Sequence, residues 1–372
     1  MENKPIRVAQ IVGDMAGGGV EAVVMNYYRH IDKTKIQFDF IIHDTSTHIP
    51  KQEIEEMGGR IFYVPHYKNL SAYRKALLKI FKENNYTIVH SHMNTLSVFP
   101  LKVAKKAGVK VRIAHSHSTS NIKEFKRFIL KNLLRPFSKQ YATHYFACSE
   151  LAGRWLFGKR AFKRGKVKII NNAIDLEKFK FNSELRECIR KELNIEDKFV
   201  IGHVGRFMEQ KNHSFLVDIF NEVHKRRDDA VLLLLGDGPL MEEIEAKVNA
   251  FGLSDNVVFT GHLNSPEIYY NAMDCFVFPS LYEGLGIVCI EAQINGLPCI
   301  VSTEVPIVAK ICDKIEFVQL SENAEQWADK TINTNNIERK TTEGKFSEYD
   351  INKKAPELEN FYLKVSNFKG TK

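Results

Sequence analysis

The sequence predicts an α/β protein built from two Rossmann-like, doubly wound domains that face a cleft. Its 372 residues suffice for about two domains at the usual size of roughly 150 residues each. Short β-rich apolar runs alternate with amphipathic stretches, which is the pattern of parallel strands joined by crossover helices. The alternation stops around residues 172–182 and then starts again, which predicts a linker between two similarly built halves.

The apolar runs predict seven strands in the first half and five in the second. These strands are expected at residues 7–12, 38–43, 60–64, 87–90, 111–115, 144–148 and 167–170, and at 198–203, 230–235, 256–260, 275–278 and 298–302. The predicted domains are 1–175 and 176–354, and a last helix within 355–372 is expected to return to the first domain. Ligands bind beyond the carboxyl ends of the strands in such sheets, so we expect one shared cleft.

The composition excludes several classes of protein. With 44% hydrophobic and 26% charged residues, the chain is neither disordered nor collagen-like. The longest wholly apolar run, Ala230 to Leu235, is far shorter than the ~20 residues of a membrane span, and the first ten residues lack the apolar region of a signal peptide. Six widely spaced cysteines without a Cys-x-x-Cys pair indicate reduced core residues. We therefore expect a cytoplasmic protein.

The net charge of +8 is unevenly distributed. Up to Lys180 there are 32 Lys and Arg against 14 Asp and Glu, whereas the remainder has 21 against 31. A basic first half indicates an anionic partner, which could be nucleic acid, a membrane surface or a phosphorylated substrate. A merely solubilising surface is the alternative, but it does not explain why the excess lies in one half.

Two short segments have the composition of phosphate sites. Gly17, Gly18 and Gly19 follow the first strand and precede a helix, where glycines and helix N–H groups admit an anion closely. The spacing is not that of dinucleotide-binding folds, and a tight turn would explain it equally well. In the second half, Arg206 and Lys211 follow a strand and could neutralise a departing diphosphate. Ordinary surface charge is the alternative for this pair.

A third segment, EGLGIVCIE, follows the strand at 275–278 and is the most informative. Gly284, Leu285 and Gly286 would present free N–H groups to diphosphate oxygens at the start of a helix. Glu283 and Glu291 are acids in otherwise apolar surroundings, and such carboxylates can accept hydrogen bonds from sugar hydroxyls.

These residues carry a resemblance to a known family. GRFMEQKN and EGLGIVCIE, together with GGGVE near the start, HSH at 115–117 and GDGPLMEEIE at 236–245, resemble the family-four retaining glycosyltransferases of the two-domain GT-B architecture, close to their exopolysaccharide and capsule branch. The resemblance covers almost the whole chain. It implies that Arg206 and Lys211 bind the donor diphosphate, Glu283 contacts the transferred sugar and Glu291 holds the nucleotide ribose.

The same resemblance places further residues. Gly18 and Gly19 would approach the diphosphate from the first domain, His115 would lie beside the donor sugar, with His117 the weaker candidate, and His262 would border the nucleotide base. The candidate catalytic residues are therefore His115, Arg206, Lys211 and Glu283, and the candidate donor-binding residues are Gly18, Gly19, His262, Gly284, Leu285, Gly286 and Glu291.

No metal or other cofactor is expected. The sequence has no Asp-x-Asp pair, no H-E-x-x-H motif and no clustered Cys/His set. Basic side chains and helix ends would then stabilise the leaving diphosphate. The resemblance implies attack on the face from which the diphosphate departs, with the leaving phosphate accepting the acceptor's proton.

The basic half contains one organised feature, the basic stripe formed by Lys123, Arg127, Lys131, Arg135 and Lys139. Steps of four residues keep these charges along one helical face, as in an interfacial helix on an anionic membrane. A solvated face of a packed helix is the alternative. With the stripe as membrane contact, we expect peripheral association with the inner face of the plasma membrane.

The sequence thus predicts an enzyme that moves a sugar from a nucleotide diphosphate, expected to be a UDP-sugar, to a lipid-linked glycan in bacterial exopolysaccharide or capsule synthesis. Its expected partners are the donor, the lipid-linked acceptor and an anionic membrane surface. A nucleotide-sugar 2-epimerase of the same fold and a non-catalytic partner protein are the alternatives. Nucleic-acid binding is disfavoured, because no recognition motif or aromatic platform accompanies the basic residues.

Overall fold

The structure is a computed structural model that describes residues 4–117, 132–263, 265–334, 339 and 346–366. The chain forms two compact units. The first comprises Met1–Ile174 together with Ser347–Lys372, and the second comprises Asp175–Phe346. The second unit is therefore inserted into the sequence of the first, and the final helix of the chain belongs to the first unit.

The first unit contains a seven-stranded parallel sheet in the order β3-β2-β1-β4-β5-β6-β7. Its strands are β1 (Ile6–Gly13), β2 (Ile36–His43), β3 (Arg60–Val64), β4 (Ile88–Ser91), β5 (Val111–Ser116), β6 (His144–Ala147) and β7 (Val167–Ile169). Its described α-helices are α1 (Gly19–His30), α2 (Lys51–Glu56), α3 (Leu70–Glu83), α4 (Val98–Lys106), α5 (Glu150–Phe157), α6 (Lys159–Lys163) and α13 (Ile351–Ser366).

Helices cover both faces of this sheet. One buried cluster contains side chains of α1 and α13, and a second contains side chains of α3, α4 and α5. In β1, Val8 and Val12 belong to the first cluster, while Ala9 and Ile11 belong to the second. Successive strand residues point to opposite faces, so a strand covered on both sides is apolar throughout. This is why the strands are visible in the sequence as continuous apolar runs.

The second unit contains a six-stranded parallel sheet in the order β10-β9-β8-β11-β12-β13. This is the strand order of a complete doubly wound fold, whose direction reverses between β8 and β11. The strands are β8 (Phe199–Val204), β9 (Ala230–Leu235), β10 (Val257–Phe259), β11 (Cys275–Phe278), β12 (Cys299–Ser302) and β13 (Ile315–Val318). The helices are α7 (Leu176–Phe179), α8 (Ser183–Glu192), α9 (His213–His224), α10 (Met241–Ala250), α11 (Ile287–Ile294) and α12 (Ala324–Asn333).

The predicted α/β class with two doubly wound parallel sheets is confirmed, and each of the twelve predicted strands lies within two residues of its expected bounds. The expectation of five strands in the second half is wrong, because β13 forms a sixth. β13 is a four-residue edge strand in which Glu316 is exposed and paired with Lys330. A short edge strand with a charged outer residue lacks the apolar run that marked the others.

The basic stripe is only partly described. Lys123, Arg127 and Lys131 lie outside the described residues, whereas Arg135 and Lys139 lie on a short 3₁₀ helix, Arg135–Lys139. Among the described residues, no helix combines the length and apolar character that crossing a bilayer requires.

Candidate active site

The candidate site of the second unit lies where the strand order reverses. Arg206 and Lys211 follow β8, and Glu283 follows β11, which is the next strand in the sheet. In doubly wound sheets, the carboxyl ends of the two strands at this reversal flank the ligand-binding crevice. The topology therefore brings together two motifs that are about 70 residues apart in the sequence.

Two glycines after β9 pack directly against the loop that follows β8. A Cβ atom on Gly236 would lie 2.3 Å from the Gly205 carbonyl oxygen, and one on Gly238 would lie 2.6 Å from the Phe207 carbonyl oxygen. Both glycines also have positive φ angles, 135° and 153°. Only glycine allows this approach, and it fixes the backbone on either side of Arg206.

Polar contacts tie the loop after β8 to the loop after β11. Gln210 donates its side-chain N–H to the Tyr282 carbonyl at 3.0 Å, and its own carbonyl accepts from the Leu281 N–H at 2.8 Å. Asn212, which has a left-handed φ of 57°, donates to the Pro279 carbonyl at 3.1 Å. The position of Lys211 relative to Glu283 is thus set by backbone contacts on both sides of it.

Lys211 and Glu283 form an ion pair. The Lys211 Nζ atom is 2.7 Å from Oε1 of Glu283 and 4.7 Å from the centre of the Phe278 ring. The lysine side chain is 17% exposed and the glutamate side chain 8%, so the pair is largely shielded from water. Arg206, by contrast, is exposed. Sequence reasoning gave Lys211 and Glu283 separate roles, whereas the structure makes them each other's partners.

Two buried, uncharged histidines flank the loop that carries Arg206 and Lys211: His203 lies on β8 and His213 is the first residue of α9. Burial lowers the pKa of His203 to about 3 and that of His213 to about 2. His203 donates from Nδ1 to the Val277 carbonyl at 2.9 Å, and the His213 ring stacks on Phe207 at 4.1 Å. Because both imidazoles are uncharged, they do not oppose the charge of Lys211.

The predicted glycine-rich helix start is present. Gly286 is the N-cap residue of α11 and has a left-handed conformation, with φ at 77°. No side chain caps this end of the helix; Leu285 and Gly286 are buried, and Gly284 is partly exposed. N–H groups at a helix start with this geometry suit an anionic oxygen.

Glu291 lies one turn into α11, and sequence reasoning missed its partner. Burial raises the pKa of Glu291 to about 7, and a hydrogen bond from the Tyr270 hydroxyl, at 2.7 Å from Oε2, acts in the opposite direction. Tyr270 lies on a 3₁₀ segment, Pro266–Ala272, and its side chain is fully buried. Nothing in EIYYNAMDC distinguishes this tyrosine from a core residue.

His262, the remaining candidate in this unit, is exposed and lies on a bend directly after Gly261. The Gly261 carbonyl accepts a hydrogen bond from the Gly236 N–H at 3.0 Å, which places this bend beside the glycine loop after β9.

In the first unit, Gly18 is the N-cap residue of α1 and Gly19 is its first residue. A carboxylate of the chain itself lies at this helix start. Glu21 accepts a hydrogen bond from the Ala16 N–H at 3.1 Å, and its Oε2 would lie 2.6 Å from a Cβ on Gly18. The anionic group that contacts the glycine loop is therefore the carboxylate of Glu21.

His115 belongs to a cluster of four buried histidines. The sequence contains HSH twice, at 90–92 and 115–117, and pairing of β4 with β5 places the two motifs side by side. His90 Nε2 is 3.1 Å from His115 Nδ1, and His92 Nδ1 is 2.9 Å from His117 Nε2. The expectation of no clustered Cys/His set is therefore wrong, because the histidines of two separate motifs meet only through the pairing of β4 with β5.

Gln10 and Tyr362 join these two pairs into one hydrogen-bonded chain. The Gln10 side chain contacts His92 Nε2 at 2.9 Å and the Tyr362 hydroxyl at 3.3 Å, and that hydroxyl is 2.6 Å from His90 Nδ1. Burial lowers the pKa of all four imidazoles, that of His117 to about 4. His115 is not the last residue of β5 and is only 2% exposed.

Two sets of side chains in this unit have the spacing of metal ligands. Ligand atoms of His90, His92 and His115 lie within 4.8 Å of one another, and so do those of Asp14, His43 and His66. Both ring nitrogens of His90 and of His92 take part in the chain of hydrogen bonds, whereas Nε2 of His115 is buried without a hydrogen-bond partner.

The second set has a similar limitation. The Lys68 N–H donates to His66 Nδ1 at 3.1 Å, so this nitrogen already serves as a hydrogen-bond acceptor, and His66 Nε2 lies 3.7 Å from a carboxylate oxygen of Asp14. In each set, therefore, at least one ring nitrogen already takes part in a hydrogen bond within the protein.

Two doubly wound units, with a cation–carboxylate pair and a glycine-rich helix start at the reversal of the second sheet, define a GT-B glycosyltransferase. The family models agree with this class: that of the glycosyltransferase family 4 matches residues 17–178, and that of the group 1 glycosyl transferases matches residues 186–348. The chain belongs to this glycosyltransferase family.

Relatives support the assignment. The chain is 38% identical over 347 residues to EpsF of Bacillus subtilis, a protein named as a glycosyltransferase, with 88% of each chain covered. It is 29% identical to the capsular polysaccharide biosynthesis glycosyltransferase CapM of Staphylococcus aureus, over 82% of this chain and 84% of CapM. It is 26% identical to the UDP-Gal:alpha-D-GlcNAc-diphosphoundecaprenol alpha-1,3-galactosyltransferase of Escherichia coli, over 76% of each.

Solved structures show the same fold. The crystal structure of Anabaena HepE in complex with UDP-glucose matches with a TM-score of 0.77 at 16% identity, covering 96% of this chain and 99% of HepE. Sucrose-phosphate synthase of Thermosynechococcus elongatus matches with a TM-score of 0.75 at 18% identity, covering 97% and 99%.

Proposed function

We propose that this glycosyltransferase is a retaining enzyme that transfers a sugar from a UDP-sugar to a lipid-linked glycan in exopolysaccharide or capsule synthesis. The capsular polysaccharide name of CapM supports the pathway class. The E. coli relative is named for UDP-galactose and a diphosphoundecaprenol acceptor, which supports both substrate classes. HepE, which has the same fold, was crystallised with UDP-glucose.

The observation that carries the proposal is the Lys211–Glu283 pair beside the glycine-rich start of α11. In the proposed complex, Lys211 and Arg206 bind the donor diphosphate together with the N–H groups around Gly286. Glu283 accepts hydrogen bonds from hydroxyls of the transferred sugar, and Glu291 accepts them from the ribose. Charge-assisted bonds of this kind are about twice as strong as neutral ones.

The reaction then breaks the bond between the anomeric carbon and the diphosphate oxygen, and an acceptor hydroxyl forms the new bond on the same face. The leaving phosphate takes the proton of that hydroxyl. Negative charge grows on the diphosphate as the bond breaks, so Lys211, Arg206 and the helix start stabilise the transition state more than the bound donor. In this proposal no metal or other cofactor takes part.

The first unit is proposed to bind the acceptor and to dock on the anionic cytoplasmic face of the membrane. Arg135 and Lys139 of the basic stripe lie beside two exposed apolar side chains, Leu133 at 64% and Phe137 at 50%. Basic and apolar groups on one short segment suit a headgroup region, where the charges meet lipid phosphates and the apolar groups enter the acyl boundary.

A ligand screen followed by a transfer assay tests the proposed function. UDP should stabilise the protein against heat by about 2.7 kcal/mol when it is present at a hundred times its dissociation constant. GDP and ADP at the same concentration should stabilise it less. A UDP-sugar that binds should then lose its sugar only when a lipid-diphosphate-linked acceptor is present, with retention of the anomeric configuration. Conversion of the UDP-sugar without an acceptor would indicate a 2-epimerase instead. If none of the nucleotides binds, the protein would instead be a non-catalytic partner.

A further inference from the structure

We infer that Tyr270 is a positioning residue for the nucleotide site: its hydroxyl holds the Glu291 carboxylate in the orientation and ionised form that accept hydrogen bonds from a ribose. This inference rests on the ribose contact proposed above for Glu291.

The contact between the two side chains is close and directional. The Tyr270 oxygen is 2.7 Å from Oε2 of Glu291 and 3.4 Å from the Val288 carbonyl oxygen. A hydroxyl has one proton, and the shorter contact to a charged acceptor is the stronger bond, so the proton is donated to Glu291. One carboxylate oxygen is thereby fixed.

Hydrogen bonds connect the segment that carries Tyr270 with the end of the helix that carries Glu291. Arg339 donates to the carbonyls of Tyr270 and Asn271, the latter at 2.8 Å. Asn295, the C-cap residue of α11, donates its side-chain N–H to Asn271 Oδ1 at 3.3 Å, and Arg339 also contacts the Asn295 side chain. The tyrosine segment and the helix that carries Glu291 therefore cannot move apart without breaking these bonds.

The charges around Glu291 make its ionisation sensitive to this one bond. The net pKa of Glu291 is about 7: burial is the largest cause that raises it, and the negative charge of Glu267, on the same 3₁₀ segment as Tyr270, also raises it. The Tyr270 hydrogen bond and the positive charge of Lys211 lower it. With the balance near neutrality, loss of the hydroxyl shifts Glu291 toward its protonated form at pH 7. A protonated acid has given up part of its capacity to accept hydrogen bonds.

Tyr270→Phe tests the inference because it keeps the buried ring and removes only the hydroxyl. Affinity for UDP should be measured by calorimetry between pH 6 and pH 9. In the parent protein we expect the affinity for UDP to increase as the pH rises through about 7. In the variant, this increase should occur at a pH about one unit higher. UDP would then bind about fivefold more weakly at pH 7 and equally well at pH 9. The ratio between the two proteins cancels any titration of UDP itself.

The matched control is Tyr269→Phe, which removes a hydroxyl from the adjacent, partly exposed tyrosine and should leave the curve in place. A direct titration of Glu291 by carboxyl ¹³C NMR, with its resonance assigned by loss in Glu291→Gln, separates the two proposals. If Glu291→Gln binds UDP as the parent does, the ribose contact fails, while the NMR shift still supports the effect of Tyr270 on Glu291. Identical titrations in parent and Tyr270→Phe would overturn the inference and leave the tyrosine a packing residue.

Discussion

At the residue scale, the central feature is that Lys211 and Glu283 neutralise one another in a largely buried pair. A diphosphate that binds Lys211 must compete with Glu283 or share the lysine with it. The Glu283 carboxylate in turn keeps acceptor capacity for sugar hydroxyls, since only one of its oxygens faces the lysine at 2.7 Å. The pair therefore links recognition of the sugar to recognition of the diphosphate.

Removal of the two cations should have different consequences. Lys211→Ala and Arg206→Ala should each reduce turnover by about tenfold or more, because each loses a charge-assisted contact to the leaving group. Only Lys211→Ala leaves a buried carboxylate unpaired, so only this variant should also lose about 3 kcal/mol of stability. Steady-state kinetics and chemical denaturation measure the two effects.

The double variant Lys211→Ala/Glu283→Gln is the control for this prediction. It removes both charges, so it should regain stability while staying inactive. Turnover within twofold of the parent for both single variants would show that neither cation contacts the leaving group.

At the element scale, the residues that sequence reasoning found and those it missed differ in a physical way. EGLGIVCIE could be recognised because its chemistry is contiguous on one strand-to-helix connection. The Tyr270–Glu291 contact and the four-histidine chain depend on packing between separate elements, and the two HSH motifs become neighbours only through the pairing of β4 with β5. Strands were predictable wherever helices cover both faces, and β13 was not, because its edge position lets a charged residue replace an apolar one.

The segment Arg135–Lys139 gives an element-scale prediction about membrane docking. Changing Arg135 and Lys139 together to Gln should weaken binding to anionic vesicles about thirtyfold, since each basic residue near such a surface contributes about 1 kcal/mol. Sedimentation with anionic and neutral vesicles at low salt measures this, and added salt should release the parent protein. The matched control changes Lys79 and Lys82, two lysines of α3, to Gln. Equal loss in both double variants would mean that only net charge matters and that this segment has no special role.

At the scale of the whole molecule, the two units differ in how many buried neutral imidazoles they contain. Among the described residues, the first holds the four-histidine chain and His43, and the second holds His203 and His213. Burial lowers the pKa of each ring in the folded state below the value of about 6.5 for an unfolded histidine. The unfolded chain therefore binds more protons, and stability decreases as the pH falls below about 6.5.

This difference predicts that the first unit unfolds in acid before the second. Each ring that takes up a proton on unfolding contributes about 1.4 kcal/mol per pH unit, so five rings contribute about 7 kcal/mol per unit and two rings about 3 kcal/mol. Against a stability on the order of 10 kcal/mol, the first unit should unfold near about pH 5, about 1.5 units below the titration of free histidine. The chain has two tryptophans, Trp155 in the first unit and Trp327 in the second, so the variants Trp327→Phe and Trp155→Phe each report one unit by fluorescence. Coincident transitions, or an earlier transition at Trp327, would show that the histidine chain does not set the acid limit of the first unit.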